Sequence, residues 1–151
     1  MAVTMTGAFV LPADKATVWA RLNDAETLKS SIPGCESLEK ISDTEFHAVT
    51  KLKIGPVSAR FKGKVTLTDI DAPNSYRIVG EGEGGVAGFA KGGANVRLAE
   101  ADAGGTQLSY DVQAQVGGKI AQLGARLIDS TAKKLAAEFF ANFAKAFGGA
   151  A

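Results

Sequence analysis

One histidine, one cysteine and two tyrosines are the side chains of this chain best suited to acid–base or nucleophilic chemistry. None of them has partners at a useful spacing. His47 falls in an alternating run and takes its polar face, so it can join neither a multi-histidine metal site nor a nucleophile triad, and a solvated ring is expected. Cys35 follows an Ile-Pro-Gly break, where a catalytic thiol would need a base that no motif supplies; a structural, at least half-buried cysteine is the simpler reading. Gly80, Gly82 and Gly85 satisfy the spacing of a dinucleotide fingerprint. That fingerprint needs a helix N-terminus behind it, whereas strand-like sequence continues here and Glu81 and Glu83 would repel a pyrophosphate. The expectation is therefore no catalytic residue, no metal site and no cofactor.

The apolar residues suggest binding instead. Trp19, Phe46, Phe61, Phe89, Tyr110, Leu123, Leu127, Phe139 and Phe143 are the candidate ligand-contacting set. Taken singly each is an ordinary core residue. The small residues Ala48, Ala59, Gly63, Gly92, Ala94 and Ala114 share the expected inner faces of the strands, and small groups opposite aromatic ones leave volume for a long or flat apolar ligand. Thr50, Tyr110, Thr131 and Asn142 are the only inward polar candidates, a poor acid and base set.

These positions depend on the elements that carry them. Residues 4–11 read as a first strand, stopped by Pro12. Asp14 caps a short helix to residue 23 and Asp24 caps a second, which breaks at Ile32, Pro33 and Gly34. Six further strands are expected from period-two alternation: 37–41, 45–54, 57–67, 76–83, 94–98 and 108–116. The segment 117–147 reads as one long helix ended by Gly148 and Gly149, with Ile120, Leu123, Leu127, Ile128, Leu135, Phe139 and Phe143 on a drifting apolar stripe. Glycines between 80 and 93 allow the sheet to bend and leave space inside it.

Composition narrows the class. A chain of 151 residues is of single-domain size, one unit over residues 1–151, and buries roughly 70% of its unfolded surface. Seventeen basic against 16 acidic residues create no global field for nucleic acid. The start MAVTMTG has no leader character and no run of about 18 apolar residues occurs, so a cytoplasmic protein is expected.

Several stretches carry a family resemblance: GAFVLPADKATVWARLND, IPGCESLEK, KLKIGPVSARFKGKV, GEGEGGVAGFAKGGANVRL, GTQLSYDVQAQVGGKIAQLGARLID and AAEFFANF. Together they resemble the carbon monoxide dehydrogenase G-subunit family, over nearly the whole chain. The resemblance implies the START-like (SRPBCC) helix-grip fold of class α+β, a seven-stranded curved antiparallel sheet wrapped around a long C-terminal helix, with an apolar cavity between them. It further implies a non-enzymatic accessory protein for a carbon monoxide dehydrogenase or a related molybdenum hydroxylase. A quinone or lipid is the expected hydrophobic ligand. Some family members carry a C-terminal extension associated with membrane attachment; this chain ends at GGAA, so peripheral contact at the inner face of the membrane would use the domain itself. The alternative is a small cavity enzyme of the cyclase or hydrolase kind on the same fold.

Two surfaces are candidates for partner or membrane contact. Lys51, Lys53, Arg60, Lys62 and Lys64 should share the outer face of one hairpin, with Glu81 or Asp111 as offsetting acids, and read either as a docking patch or as a solvated, aggregation-resistant face. Phe140 and Phe147 project away from the main helical stripe with Ala136 and Ala144; they form an exposed contact patch or lie beneath the short helices.

Overall fold

A computed structural model of the chain describes residues 1–147. The expected order of strand, two short helices, six strands and a long helix is what the chain adopts: β1 (Ala2–Leu11), α1 (Lys15–Leu22), α2 (Ala25–Ser31), β2 (Cys35–Ser42), β3 (Glu45–Ile54), β4 (Val57–Asp71), β5 (Ser75–Glu83), β6 (Phe89–Glu100), β7 (Thr106–Gly117) and α3 (Ala125–Ala144). The seven strands form one antiparallel sheet in the order β1-β7-β6-β5-β4-β3-β2. It is the helix-grip architecture, with α3 lying nearest to β1, β3 and α2.

Local chemistry sets these boundaries. The Asp14 carboxylate accepts the Thr17 N–H at 2.8 Å, and Asp24 accepts both the N–H and the hydroxyl of Thr27, at 3.1 and 2.6 Å, so both short helices begin at their expected caps. Each of these hydrogen bonds holds its carboxyl below the usual range. At the β3–β4 hairpin, Ile54 pairs with Val57 across a two-residue turn in which Gly55 takes φ 58°, a region that side chains with a Cβ avoid.

The terminal segment differs from the single helix expected over 117–147. Gly117 is the last residue of β7, residues Lys119–Leu123 form a 3₁₀ turn, and only Ala125–Ala144 is α-helical. Gly124, at φ 97°, cannot continue an α-helix and divides the two pieces. The expected stop at Gly148 and Gly149 lies outside the described residues.

The core falls into two clusters. One gathers Leu11, Val18, Leu22, Phe46, Leu67, Tyr76, Leu98, Leu108, Phe140 and Phe143, with Trp19 and Phe139 packed on it. The other gathers Val3, Ile54, Phe61, Val116, Ile120 and Ile128, with Leu52, Ala59 and Leu123. Between them the inward residues Met5, Ala48, Gly63, Gly80, Ala94, Val112 and Ala114 are only half-buried.

Candidate functional site

The sheet register explains that gap. Ala48, Gly63, Gly82 and Ala90 stand opposite one another on β3, β4, β5 and β6. The next inward row sets Gly80, Gly92 and Ala114 side by side on β5, β6 and β7. Two adjacent rows of glycine and alanine therefore cross the middle of the sheet, and inward residues two apart on a strand share a face. Phe46 borders this belt on one side and Phe61 on the other.

The glycines of the sheet differ in what a side chain would meet, and at Gly92, within the belt, a Cβ would lie 2.1 Å from the Gln113 carbonyl oxygen, so close strand approach requires glycine there. A Cβ placed on Gly7 would lie 2.4 Å from the Tyr110 hydroxyl oxygen, and one on Gly117 would lie 2.4 Å from the Phe89 ring. Those glycines are covered by a neighbouring side chain. At Gly63, Gly80 and Gly82 a Cβ would meet only atoms of adjacent strands, 3.6–3.9 Å away, and nothing of α3 comes within 4 Å. Packing does not require glycine there. Its effect is to leave the inner face of the sheet bare of side chains there, a half-buried hollow in that face between the two apolar clusters.

A cleft of about 610 Å³ lies between the end of β3 and α3. Leu52, Leu127, Thr131 and Leu135 line it inward, and Lys51, Lys53, Lys134 and Glu138 rim it, with Pro33, Gly34 and Gly55 at its ends. A larger concavity of about 1100 Å³ lies on the outer face of the sheet, walled by Glu39, His47, Arg60, Lys62, Lys64, Glu81, Glu83 and Lys91. Its charged walls alternate in sign around a floor that includes Ala48, Val49, Gly63, Gly82, Phe89 and Ala90, whereas the cleft is lined inward by leucines and so suits an apolar molecule better.

The candidate ligand-contacting residues are distributed around this hollow. Trp19, Phe46, Tyr110, Phe139 and Phe143 belong to the first cluster, Phe61 and Leu123 to the second, and Leu127 to the cleft. Phe89 is on the other side of the sheet, 43% exposed, with its ring over Gly117. The turn over residues 84–88 interrupts the alternation just before it, which is why its face could not be counted from β5. Tyr76 is almost fully buried and Tyr110 partly so; burial pushes both phenols above their ordinary range, so both are neutral donors.

Phe140 is a correction. Instead of projecting outward it is 9% exposed, stacked on Phe9 at 4.2 Å and on Tyr110 at 5.5 Å. Phe147 is partly buried against the same cluster, edge-on to Phe143 at 5.2 Å. Strand β1 and α2 cover this face of α3, so the two rings form no exposed patch.

The five cations of the hairpin also separate. Arg60 bonds Glu36 at 2.7 Å, Lys62 pairs in register with Glu83, and Lys64 pairs with Glu81 and lies 4.0 Å from Glu45. Glu81 stands in register with Lys64, but the carboxylate nearest to that ammonium is Glu45, and Asp111 accepts from Asn95 at 2.8 Å. Lys51 and Lys53 stand apart, on the rim of the cleft.

No reaction centre assembles among the described residues. His47 is exposed and hydrogen-bonded to Glu45 at 2.8 Å, and burial pushes the Cys35 thiol up, away from the nucleophilic thiolate. Asn142 is spent on the Ser31 carbonyl at 3.1 Å. Gly85 opens a three-residue 3₁₀ turn rather than a helix, so the glycine spacing makes no phosphate cradle. No group of side chains suited to hold a metal ion occurs among the described residues.

One curved seven-stranded antiparallel sheet gripping one long C-terminal helix places the chain in the START-like fold class. A START superfamily protein from Mycobacterium smegmatis is similar at TM-score 0.65 and 16% identity, covering 97% of this chain and 94% of that one. An aromatase/cyclase, Zhui, from Streptomyces sp. R1128 is similar at TM-score 0.69 and 10% identity, covering 96% and 93%. At those identities the likeness concerns the fold alone. A conserved protein from Geobacillus kaustophilus is nearer, at TM-score 0.90 and 32% identity over 97% of this chain and 96% of that one. The chain belongs to the carbon monoxide dehydrogenase G-subunit (CoxG) family, whose model matches residues 7–148. No curated protein matches it.

Proposed function

We infer that this chain is a non-enzymatic binding protein that holds a hydrophobic small molecule, a quinone or a lipid, in the hollow beneath α3. The observation that carries this reading is the belt of uncovered glycines. A sheet centre could gain side-chain packing from alanine or larger residues at Gly63, Gly80 and Gly82, yet the space above them is left open. An apolar ligand entering it is relieved of water at about 0.8 kcal/mol per CH₂.

Family membership supports an accessory role beside a carbon monoxide dehydrogenase or a related molybdenum hydroxylase. Such an enzyme passes electrons to an acceptor soluble in the membrane, and a carrier with an apolar interior lowers the cost of moving that acceptor through water. Among the described residues no helix is long and apolar enough to cross a membrane, so the proposed membrane contact is peripheral. The cyclase reading finds less support, because among the described residues the inward polar groups are threonines and neutral phenols, and the one carboxylate lining the cleft, Glu138, lies 4.0 Å from Lys134.

The test is mass analysis of the apolar material extracted from purified protein, compared with a variant carrying Gly80→Leu and Gly82→Leu. The native chain should release a stoichiometric apolar compound and the filled variant none. Equal recovery from both proteins would place the ligand elsewhere.

A further inference from the structure

We propose that the cleft between β3 and α3 is a head-group site for an anionic amphiphile, a long-chain carboxylate whose tail runs into the hollow. This deepens the preceding reading and rests on it. The first observation is a strand edge that stops early. Pairing of β2 with β3 ends at Cys35 and Thr50, the Gly34 carbonyl takes the Lys51 N–H at 2.9 Å, and β3 runs on to Ile54 without a neighbour on that side. In an antiparallel strand, residues two apart turn their N–H and C=O groups to the same edge. Lys53 therefore directs its backbone donor where Lys51 does, but into the cleft, where no strand follows.

The second observation is the sign of the charge. Lys51, Lys53 and Lys134 rim the cleft against one carboxylate, Glu138, which lies 4.0 Å from Lys134. The nearby Glu36 is already held by Arg60 at 2.7 Å. Elsewhere on the sheet cations and acids alternate in register; here cations are in excess. The third is shape. The inner wall of Leu52, Leu127 and Leu135 is apolar and the cleft is concave, which suits one head group with a tail behind it rather than a flat bilayer. A carboxylate seated there accepts from the Lys53 N–H and from the ammonium groups, both charge-assisted hydrogen bonds.

Lipid-stripped full-length chain is loaded with Nile red, which is then displaced by palmitate or by methyl palmitate below their aggregation thresholds. The two competitors share a tail and differ in charge. Palmitate should displace the dye at about tenfold lower concentration than the ester in low salt, the scale of one or two charged hydrogen bonds. That gap should close in about 1 M salt, where screening acts over about 3 Å. It should also close in the Lys51→Gln, Lys53→Gln, Lys134→Gln variant, with displacement by the ester unchanged. Equal potency of acid and ester in the native chain overturns the head-group site and leaves the apolar interior standing. A preference that survives the triple substitution overturns it as well, since the charge would then be read elsewhere. If neither competitor displaces the dye, the interior reading falls together with it.

Discussion

Single glycines in this sheet differ in what a methyl group would do to them, and that difference separates structural glycines from those that keep space open. Gly80 has ordinary extended backbone and room for a Cβ, whose nearest neighbours would be the Lys64 carbonyl and the Val65 side chain at 3.6 Å. Gly80→Ala should raise stability by about 0.4–1 kcal/mol, because alanine has fewer unfolded conformations to lose. Gly7→Ala should lower it by about 1–3 kcal/mol, since the Tyr110 ring that covers Gly7 is stacked on Phe140 and cannot swing aside freely. Urea unfolding of the two variants checks the pair, and a loss at position 80 as large as at position 7 would mean that the belt is covered after all. At this scale the sequence was a partial guide. Alternation correctly put Ala48, Gly63, Gly92, Ala94 and Ala114 on inward faces, because a strand's period of two carries across any residue type. It could not show which glycines a neighbouring ring would cover, for that depends on cross-strand register.

At the scale of elements, the strands and the two capped helices were legible because their signals are local: alternation, Asp caps, and glycine or proline turns. The last helix was less so. Its apolar stripe drifts, and residues on both flanks of such a stripe are buried when a helix is gripped on more than one side. Phe140 shows the consequence, packed against β1 and β7 through Phe9 and Tyr110 instead of facing solvent. Phe140→Ala should therefore cost about 3–5 kcal/mol, the range for removing a buried phenylalanine. A shift in the urea midpoint corresponding to less than about 1 kcal/mol would return Phe140 to the surface. The cleft was illegible for a related reason. It exists because β3 outlasts its pairing with β2, and strand ends are the positions that residue patterns define least sharply.

For the whole molecule, two apolar clusters are joined by one sheet and one helix, with small half-buried residues at the centre of the sheet, where the proposed ligand would sit. A ligand that binds the folded chain and not the unfolded one adds RT ln(1 + [L]/Kd) to stability, about 2.7 kcal/mol at a hundredfold excess over Kd. For a chain of 151 residues, 1 kcal/mol moves the melting temperature by about 2–4 °C. Ligand-saturated protein should accordingly melt about 5–10 °C above the stripped form, with the shift growing as the logarithm of free ligand. The variant filled by Gly80→Leu and Gly82→Leu should show no such shift, and its own melting temperature should not depend on stripping. Calorimetry of the four samples distinguishes the two ways in which this can fail. A ligand-dependent rise that persists in the filled variant would locate binding outside the hollow. No rise in either protein, at ligand concentrations that displace Nile red from the native chain, would show that the ligand holds the unfolded chain as tightly as the folded one, which a site formed only by folding does not allow.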